Sequence, residues 1–228
     1  MTNSASATMS RRQLLIALGG AGLAGCAQTP SLNLIGETMS ATMRSSGGYP
    51  RTRAEVDALP YAQMGIRLGT RGDHGILVLS EIAGSELRWV SANQVMVATR
   101  FGRIVKTVGL QEDLRSARFF TPDALAAYSP EGPSIDGYAS RYLVDTGKAF
   151  GIEVESRIKV DRRETIEILG QNIDTLKVIE RIRCDRWRWE ASNTYWLSLK
   201  SSLVWKSQQH YLPDQRPLEL DLLKRVSV

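Results

Sequence analysis

The chain is poor in the residues that build metal centres and disulfide frameworks: its 228 residues include two cysteines and two histidines. His74, His210 and Cys184 lie far apart with no ligand spacing, so no metal site is expected. Catalytic signatures are missing too. There is no GxSxG elbow and no GxxxxGK[ST] phosphate-binding loop. No catalytic residue and no cofactor is therefore assigned. A membrane-spanning run is also lacking. The apolar stretch Leu14 to Leu23, at ~1.5 Å per residue, covers about half of a ~30 Å hydrocarbon layer, and nothing later in the chain is longer.

What is present begins near the N-terminus. Arg11 and Arg12 precede that stretch, Gly19, Gly20 and Gly22 dilute it, and Leu23-Ala24-Gly25-Cys26 closes it, the layout of a signal peptide. The closing tetrapeptide resembles the bacterial lipobox, whose cysteine is diacylated on its thiol, freed by cleavage and acylated again on its amine. On that resemblance residues 1–25 are removed and Cys26 is the lipidation site. Each buried methylene contributes ~0.8 kcal/mol, so two or three acyl chains anchor a domain that one chain would hold only marginally. The first partner implied is a membrane, met through an N-terminal lipid anchor. Ala27 stands where the enterobacterial sorting rule would place Asp for inner-membrane retention, which favours the outer membrane. Ser10-Arg11-Arg12-Gln13-Leu14-Leu15 also resembles the twin-arginine export signal, which makes Arg11 and Arg12 the export-signal residues.

Processing changes the charge balance. Arg11 and Arg12 leave with the signal, so 27 basic residues face 24 acidic ones and the formal net charge falls from +5 to +3. A nucleic-acid partner, which the larger figure invites, disappears with the compartment. Cys184 is left without an intrachain partner and reads as a small buried apolar residue.

Residues 26–52 form an acylated cysteine and tether, rich in Ser, Thr and Gly, with one weakly amphipathic stretch from Leu32 to Met43 for a short helix. Residues 53–228 form one domain. A helical turn over Glu55 to Tyr61 is stopped by Pro60. Strand-like runs follow at Met64 to Leu68, Gly75 to Ile82, Glu86 to Val90, Val95 to Arg100 and Ile104 to Val108, joined by tight turns that predict an antiparallel meander. Residues 111–148 lose the pattern, apart from a helical turn at Asp123 to Tyr128. Strands resume at Phe150 to Asp161, Glu164 to Leu169, Thr175 to Trp189, Thr194 to Leu199, Leu203 to Gln209 and Leu218 to Val226. With no βα alternation the fold class is all-β: a meander forming a closed or half-open barrel, with a short N-terminal helix and tether.

Candidate binding features are few. Asp73, Glu81, Asp145, Glu153 and Glu155 are available for glycoside cleavage without forming a diagnostic pair. Lys159, Arg162, Arg163, Arg181, Arg183, Arg186 and Arg188 form a basic cluster that would suit an anionic glycan or lipid headgroup, or simply a solvated face. Trp187, Trp189, Trp196 and Trp205 fall within nineteen residues. Such rings fill a core or, as flat platforms, stack on sugars. These four are the candidate glycan platform.

Three passages carry a family resemblance. Tyr49-Pro50 through Tyr61-Ala62 is the first, and Leu87-Arg88-Trp89-Val90-Ser91-Ala92 with Thr99-Arg100-Phe101-Gly102-Arg103-Ile104-Val105-Lys106-Thr107 is the second. Asn193-Thr194-Tyr195-Trp196 with Val204-Trp205-Lys206-Ser207-Gln208-Gln209 is the third. Together with the lipobox they resemble the YjbF/GfcB family of group 4 capsule polysaccharide lipoproteins. Two departures stand out: the twin-arginine-like signal is not a defining feature of that family, and Phe101-Gly102 occupies a turn expected as Asn-Gly. Phe disfavours the left-handed backbone of a two-residue primed turn, so a longer or differently typed hairpin is expected there. The resemblance implies a β-barrel-like outer-membrane lipoprotein facing the periplasm, with polysaccharide or export-machinery proteins as partners and no catalytic residues. The function expected is a non-enzymatic accessory factor in capsule or exopolysaccharide assembly or export. A half-open-barrel carrier of lipid or lipoprotein, and a polysaccharide hydrolase or lyase, are the alternatives.

Overall fold

The computed structural model describes residues 48–226, apart from 70, 71 and 73. Arg11, Arg12, Cys26 and the tether up to residue 47 lie outside the described residues. Those described form two short helices and twelve strands: α1 (Arg53–Ala58), β1 (Gln63–Leu68), β2 (His74–Ala83), β3 (Glu86–Val90), β4 (Met96–Arg100), β5 (Arg103–Val108), β6 (Leu114–Phe119), α2 (Ala124–Ala127), β7 (Ala139–Thr146), β8 (Ile152–Ile168), β9 (Gln171–Cys184), β10 (Trp189–Ser198), β11 (Val204–Gln209) and β12 (Leu218–Lys224). The sheet order is β5-β4-β3-β2-β1-β12-β11-β10-β9-β8-β7-β6, antiparallel throughout. The last strand returns to the first, and β5 and β6 lie side by side without a ladder between them. The meander is therefore a nearly closed barrel with one seam.

Alternation builds the wall. Along β8, Ile152, Val154, Ser156 and Ile158 are buried while Glu153, Glu155, Arg157 and Lys159 face out. Leu218, Leu220 and Leu222 of β12 join Leu77, Val97 and Trp89 in the main core. Trp89 is 1% exposed, and its Nε1 donates to Thr99 Oγ1 at 2.9 Å, so the indole is buried without an unmet donor. Cys184 is buried in the same core.

The two strands hidden from sequence reading, β6 and β7, each depart from simple apolar alternation. β7 turns Ser140, Tyr142, Val144 and Thr146 inward, so three of these four buried residues bear hydroxyls, and a register shift between Leu114 and Ser116 breaks the alternation of β6. The two runs expected over 150–169 are one strand, β8, with an irregularity between Val160 and Arg162 that keeps the charged stretch on the surface. At the other extreme, β9 ends at Cys184 and residues 185–188 turn, so Trp187 sits in a turn and does not share a strand face with Trp189. The β4–β5 hairpin also departs from expectation. Arg100 pairs directly with Arg103, leaving the two-residue loop Phe101 (φ 51°) and Gly102 (φ 81°), so Phe does take the left-handed position. A Cβ on Gly102 would strike Val204, so glycine is required there twice over.

The outer face of β12 is covered from the N-terminal side. Thr52 and Glu55 form a reciprocal capping box that starts α1, and Val56 buries against Ile76, Ile168 and Leu223. Tyr49, from the segment the sequence assigns to the tether, lays its ring on Gly65, where a Cβ would overlap it, and donates to Asp221 Oδ2 at 2.7 Å. The tip of the β8–β9 hairpin reaches the same cluster through Ile168 and Leu169. His74 is not a solvated turn residue: it opens β2 and stands edge-on to Tyr49 at 4.7 Å, and burial holds its imidazole below the usual range.

Candidate functional site

The barrel interior is occupied. Beside the apolar core lies a buried polar network centred on Arg103, the first residue of β5. Its guanidinium grips Asp123 with two parallel bonds of 2.8 and 2.9 Å and reaches Glu180 of β9 at 2.7 Å. Glu180 Oε2 accepts further bonds from Asn193 Nδ2 and the Tyr195 hydroxyl, both at 3.1 Å. Burial alone would push the Arg103 guanidinium down, and Asp123 and Glu180 more than reverse it, so it stays charged. Burial raises the Tyr195 phenol, so it stays neutral and acts as a hydrogen-bonding wedge. Gln209 completes the set: it accepts from Ile104 N at 2.9 Å and donates to Gly102 O at 2.8 Å, satisfying backbone groups at the start of β5. These bonds join β5 to the cap of α2 and to β9, β10 and β11 around the seam. Asp123, which caps α2 through Leu125 N, thereby ties the end of β6 to the barrel.

Such an interior leaves little room. Voids lined by core residues measure about 20 Å³ beside Arg103 and about 170 Å³ at the mouth near Leu77 and Leu218. Both fall below the ~300 Å³ at which ligand pockets begin.

A larger hollow lies on the outer wall of β7 to β10, with a volume of about 680 Å³. Register determines its floor. One row across the four strands reads Arg141, Glu155, Arg183, Glu190, alternating in sign, and Arg141 and Arg183 meet acids. The adjacent row reads Ala139, Arg157, Arg181, Ser192. Here two arginines face each other directly with small residues on either side. Arg157 reaches the Gly137 carbonyl, at 3.5 Å, and among the described residues no acid pairs with Arg157 or Arg181. The arrangement can take an anion.

The residues singled out by sequence are dispersed. Trp187 and Trp189 pack against the main core, Trp205 bridges the main core and the α1 cluster, and Trp196 stands on the outer face between Lys177 and Lys206, 5.6 and 5.8 Å from its ring. Trp196 Nε1 donates to Glu164, and that bond, with Lys177 and Arg162 nearby, holds the Glu164 carboxyl below its usual range. Of the basic cluster, Arg181 and Arg183 line the hollow, while Arg162 pairs with Asp161 and Glu164. Of the acids, Glu81 pairs with Arg88, Glu153 with Arg141, and Asp145 accepts from Gly151 N, Ser116 and Arg118; Asp73 lies outside the described residues. Among the described residues no three potential metal ligands converge, and no helix is long and apolar enough to cross a membrane. Arg141 and Arg157 escaped the sequence reading. The even-position burial of β8 points Arg157 outward, but its partner across the strand is set by register, which composition does not reveal.

Comparison with known proteins follows the same lines. A model of the family described as group 4 capsule polysaccharide lipoprotein gfcB, YjbF matches residues 36–223. The lipoprotein GfcB of Escherichia coli K12 is 26% identical over 216 residues, covering 93% of this chain and 98% of the relative. The lipoprotein YjbF of the same organism is 23% identical over 190 residues, covering 83% and 88%. The crystal structure of the E. coli lipoprotein YmcC has the same fold, with a TM-score of 0.73 at 23% identity over 89% of this chain and 99% of that one.

Proposed function

Because the chain belongs to the group 4 capsule polysaccharide lipoprotein family, we propose that it is held by acylated Cys26 on the periplasmic face of the outer membrane. There it serves as a non-enzymatic accessory factor in assembly or export of a capsule or exopolysaccharide. The observation that carries this reading is the family match, which runs from before α1 into β12 and so takes in the whole barrel. The lipobox-like Leu23-Ala24-Gly25-Cys26 supports the anchor and Ala27 the outer membrane. A carrier of lipid with a half-open barrel would need an acyl-sized cavity, and the filled interior speaks against it.

Deleting the gene should lower the polysaccharide recovered from the cell surface, and complementation should restore it. Unchanged surface polysaccharide in the deletion strain would overturn the reading. A Cys26→Ser variant should lose acyl label and move from the membrane to the soluble fraction, since among the described residues no helix is long and apolar enough to hold it there.

A further inference from the structure

We propose that the hollow on the outer wall of β7 to β10 is a binding site for an acidic glycan, with the carboxylate of a uronic acid seated between Arg157 and Arg181. This rests on the polysaccharide role above and names the ligand chemistry of one site. The argument starts from an electrostatic cost. Residues directly opposite on neighbouring antiparallel strands hold their Cβ atoms about 4.5–5.5 Å apart, and like charges placed so destabilise the sheet. Arg157 and Arg181 are such a pair. The next row shows how the same wall solves the problem elsewhere, by alternating Arg141, Glu155, Arg183 and Glu190. The Arg157–Arg181 row instead places Ala139 and Ser192 at its flanks, so neither directly opposite neighbour supplies a counter-charge and the short side chains leave the hollow open.

An anion between the two guanidiniums relieves that repulsion. Guanidinium matches a planar carboxylate with two parallel bonds, so two arginines can hold both carboxylate oxygens from opposite sides. The surroundings favour a sugar over a phospholipid surface. Thr121 and Ser192 offer hydroxyls, and Glu155 and Glu190 offer acceptors, a set of groups that the several ring hydroxyls of a sugar can use at once. The volume, about 680 Å³, falls within the ~300–1,000 Å³ of ordinary ligand sites.

The test uses the full acylated chain in detergent micelles, titrated with oligogalacturonate, with neutral dextran oligomers and with anionic phospholipid vesicles. Oligogalacturonate should bind in a salt-sensitive way and dextran should not. The double variant Arg157→Ser/Arg181→Ser should weaken oligogalacturonate binding at least about tenfold, the effect of losing one good charged contact. Arg157→Glu separates binding from folding: facing Arg181 with the opposite charge, it should raise the melting temperature while abolishing binding. Absence of oligogalacturonate binding by the wild type, equal binding by the double variant, or Arg157-dependent binding to vesicles in place of the oligomer would each overturn the proposal. Any of these leaves the deletion phenotype untouched, so failure of this site is distinguishable from failure of the polysaccharide role.

Discussion

Arg103 shows how a single side chain can hold a seam closed. Its partners come from α2, β9 and β10, its charge is maintained by two acids, and its guanidinium also lies 5.1 Å from the Phe119 ring of β6. Arg103→Met would leave Asp123 and Glu180 buried and unpaired, and removing one partner of a buried ion pair costs ~3–5 kcal/mol. Urea titration followed by intrinsic fluorescence should show a fall of that size in unfolding free energy. The tryptophans divide in the same terms. Trp89→Ala should cost ~3–5 kcal/mol because it empties the core, whereas Trp196→Ala, on the outer face, should cost far less. Glu164 supplies a pH signature. Its carboxyl is held below the usual 4.5, chiefly by the Trp196 bond, so below that value the unfolded chain binds a proton that the folded one refuses. Its contribution is complete above pH 4.5 and is lost as pH falls through the lowered value. The melting temperature of the wild type should therefore drop more steeply in acid than that of Glu164→Gln, and parallel profiles would refute the assignment.

At the scale of elements, the hairpin tips and the N-terminal strap, the segment around Tyr49 that leads into α1, carry the informative strain and contact. Phe101 and Leu169 both hold left-handed backbones in two-residue loops, each followed by a glycine at positive φ. A left-handed non-glycine residue costs roughly 1–2 kcal/mol, and Asn is the preferred occupant of that turn position. Phe101→Asn should therefore stabilise the barrel by about 1 kcal/mol, read as a higher denaturation midpoint. The cluster of Leu169 with Val56, Ile168 and Leu223 accounts for the second exception, because its side chain packs where the tip of the β8–β9 hairpin meets α1. Gly65→Ala tests the strap. The new Cβ would displace the Tyr49 ring and break its bond to Asp221, so limited proteolysis should cut ahead of α1 faster, with the barrel itself intact.

For the whole molecule, the meander order explains how a nearly closed barrel can form from mostly local pairings. Each strand meets its sequence neighbour, the β12–β1 ladder closes the circuit, and the break falls where β5 and β6 are stitched by side chains in place of a ladder. Thr107 accepts from Leu114 N at 2.9 Å and donates to Asp113, which also takes Gly109 N and Leu110 N, so the backbone at that end of the seam finds partners without strand pairing. The outer hollow lies on β7 to β10, apart from the face of β12 on which Tyr49 and α1 pack.

Local pattern determined much of this protein. Period-two alternation in Ile152, Val154 and Ile158 and turn residues at regular spacing are local properties, and they sufficed for an all-β meander, for the α2 turn capped by Asp123, and for most strands. The lipobox-like tetrapeptide and the passages that carry the family resemblance are likewise local strings. Tertiary structure decided the rest, because it depends on pairings distant along the chain. β6 and β7 became strands by pairing with each other and, for β7, with β8, the four tryptophans were dispersed by where strands end, and Arg103 met Glu180 across 77 positions of sequence. Arg157 and Arg181 are unremarkable surface charges until the β8–β9 register sets one opposite the other. A shift of a single residue would have turned their side chains to the other face, and no composition or motif encodes which register wins.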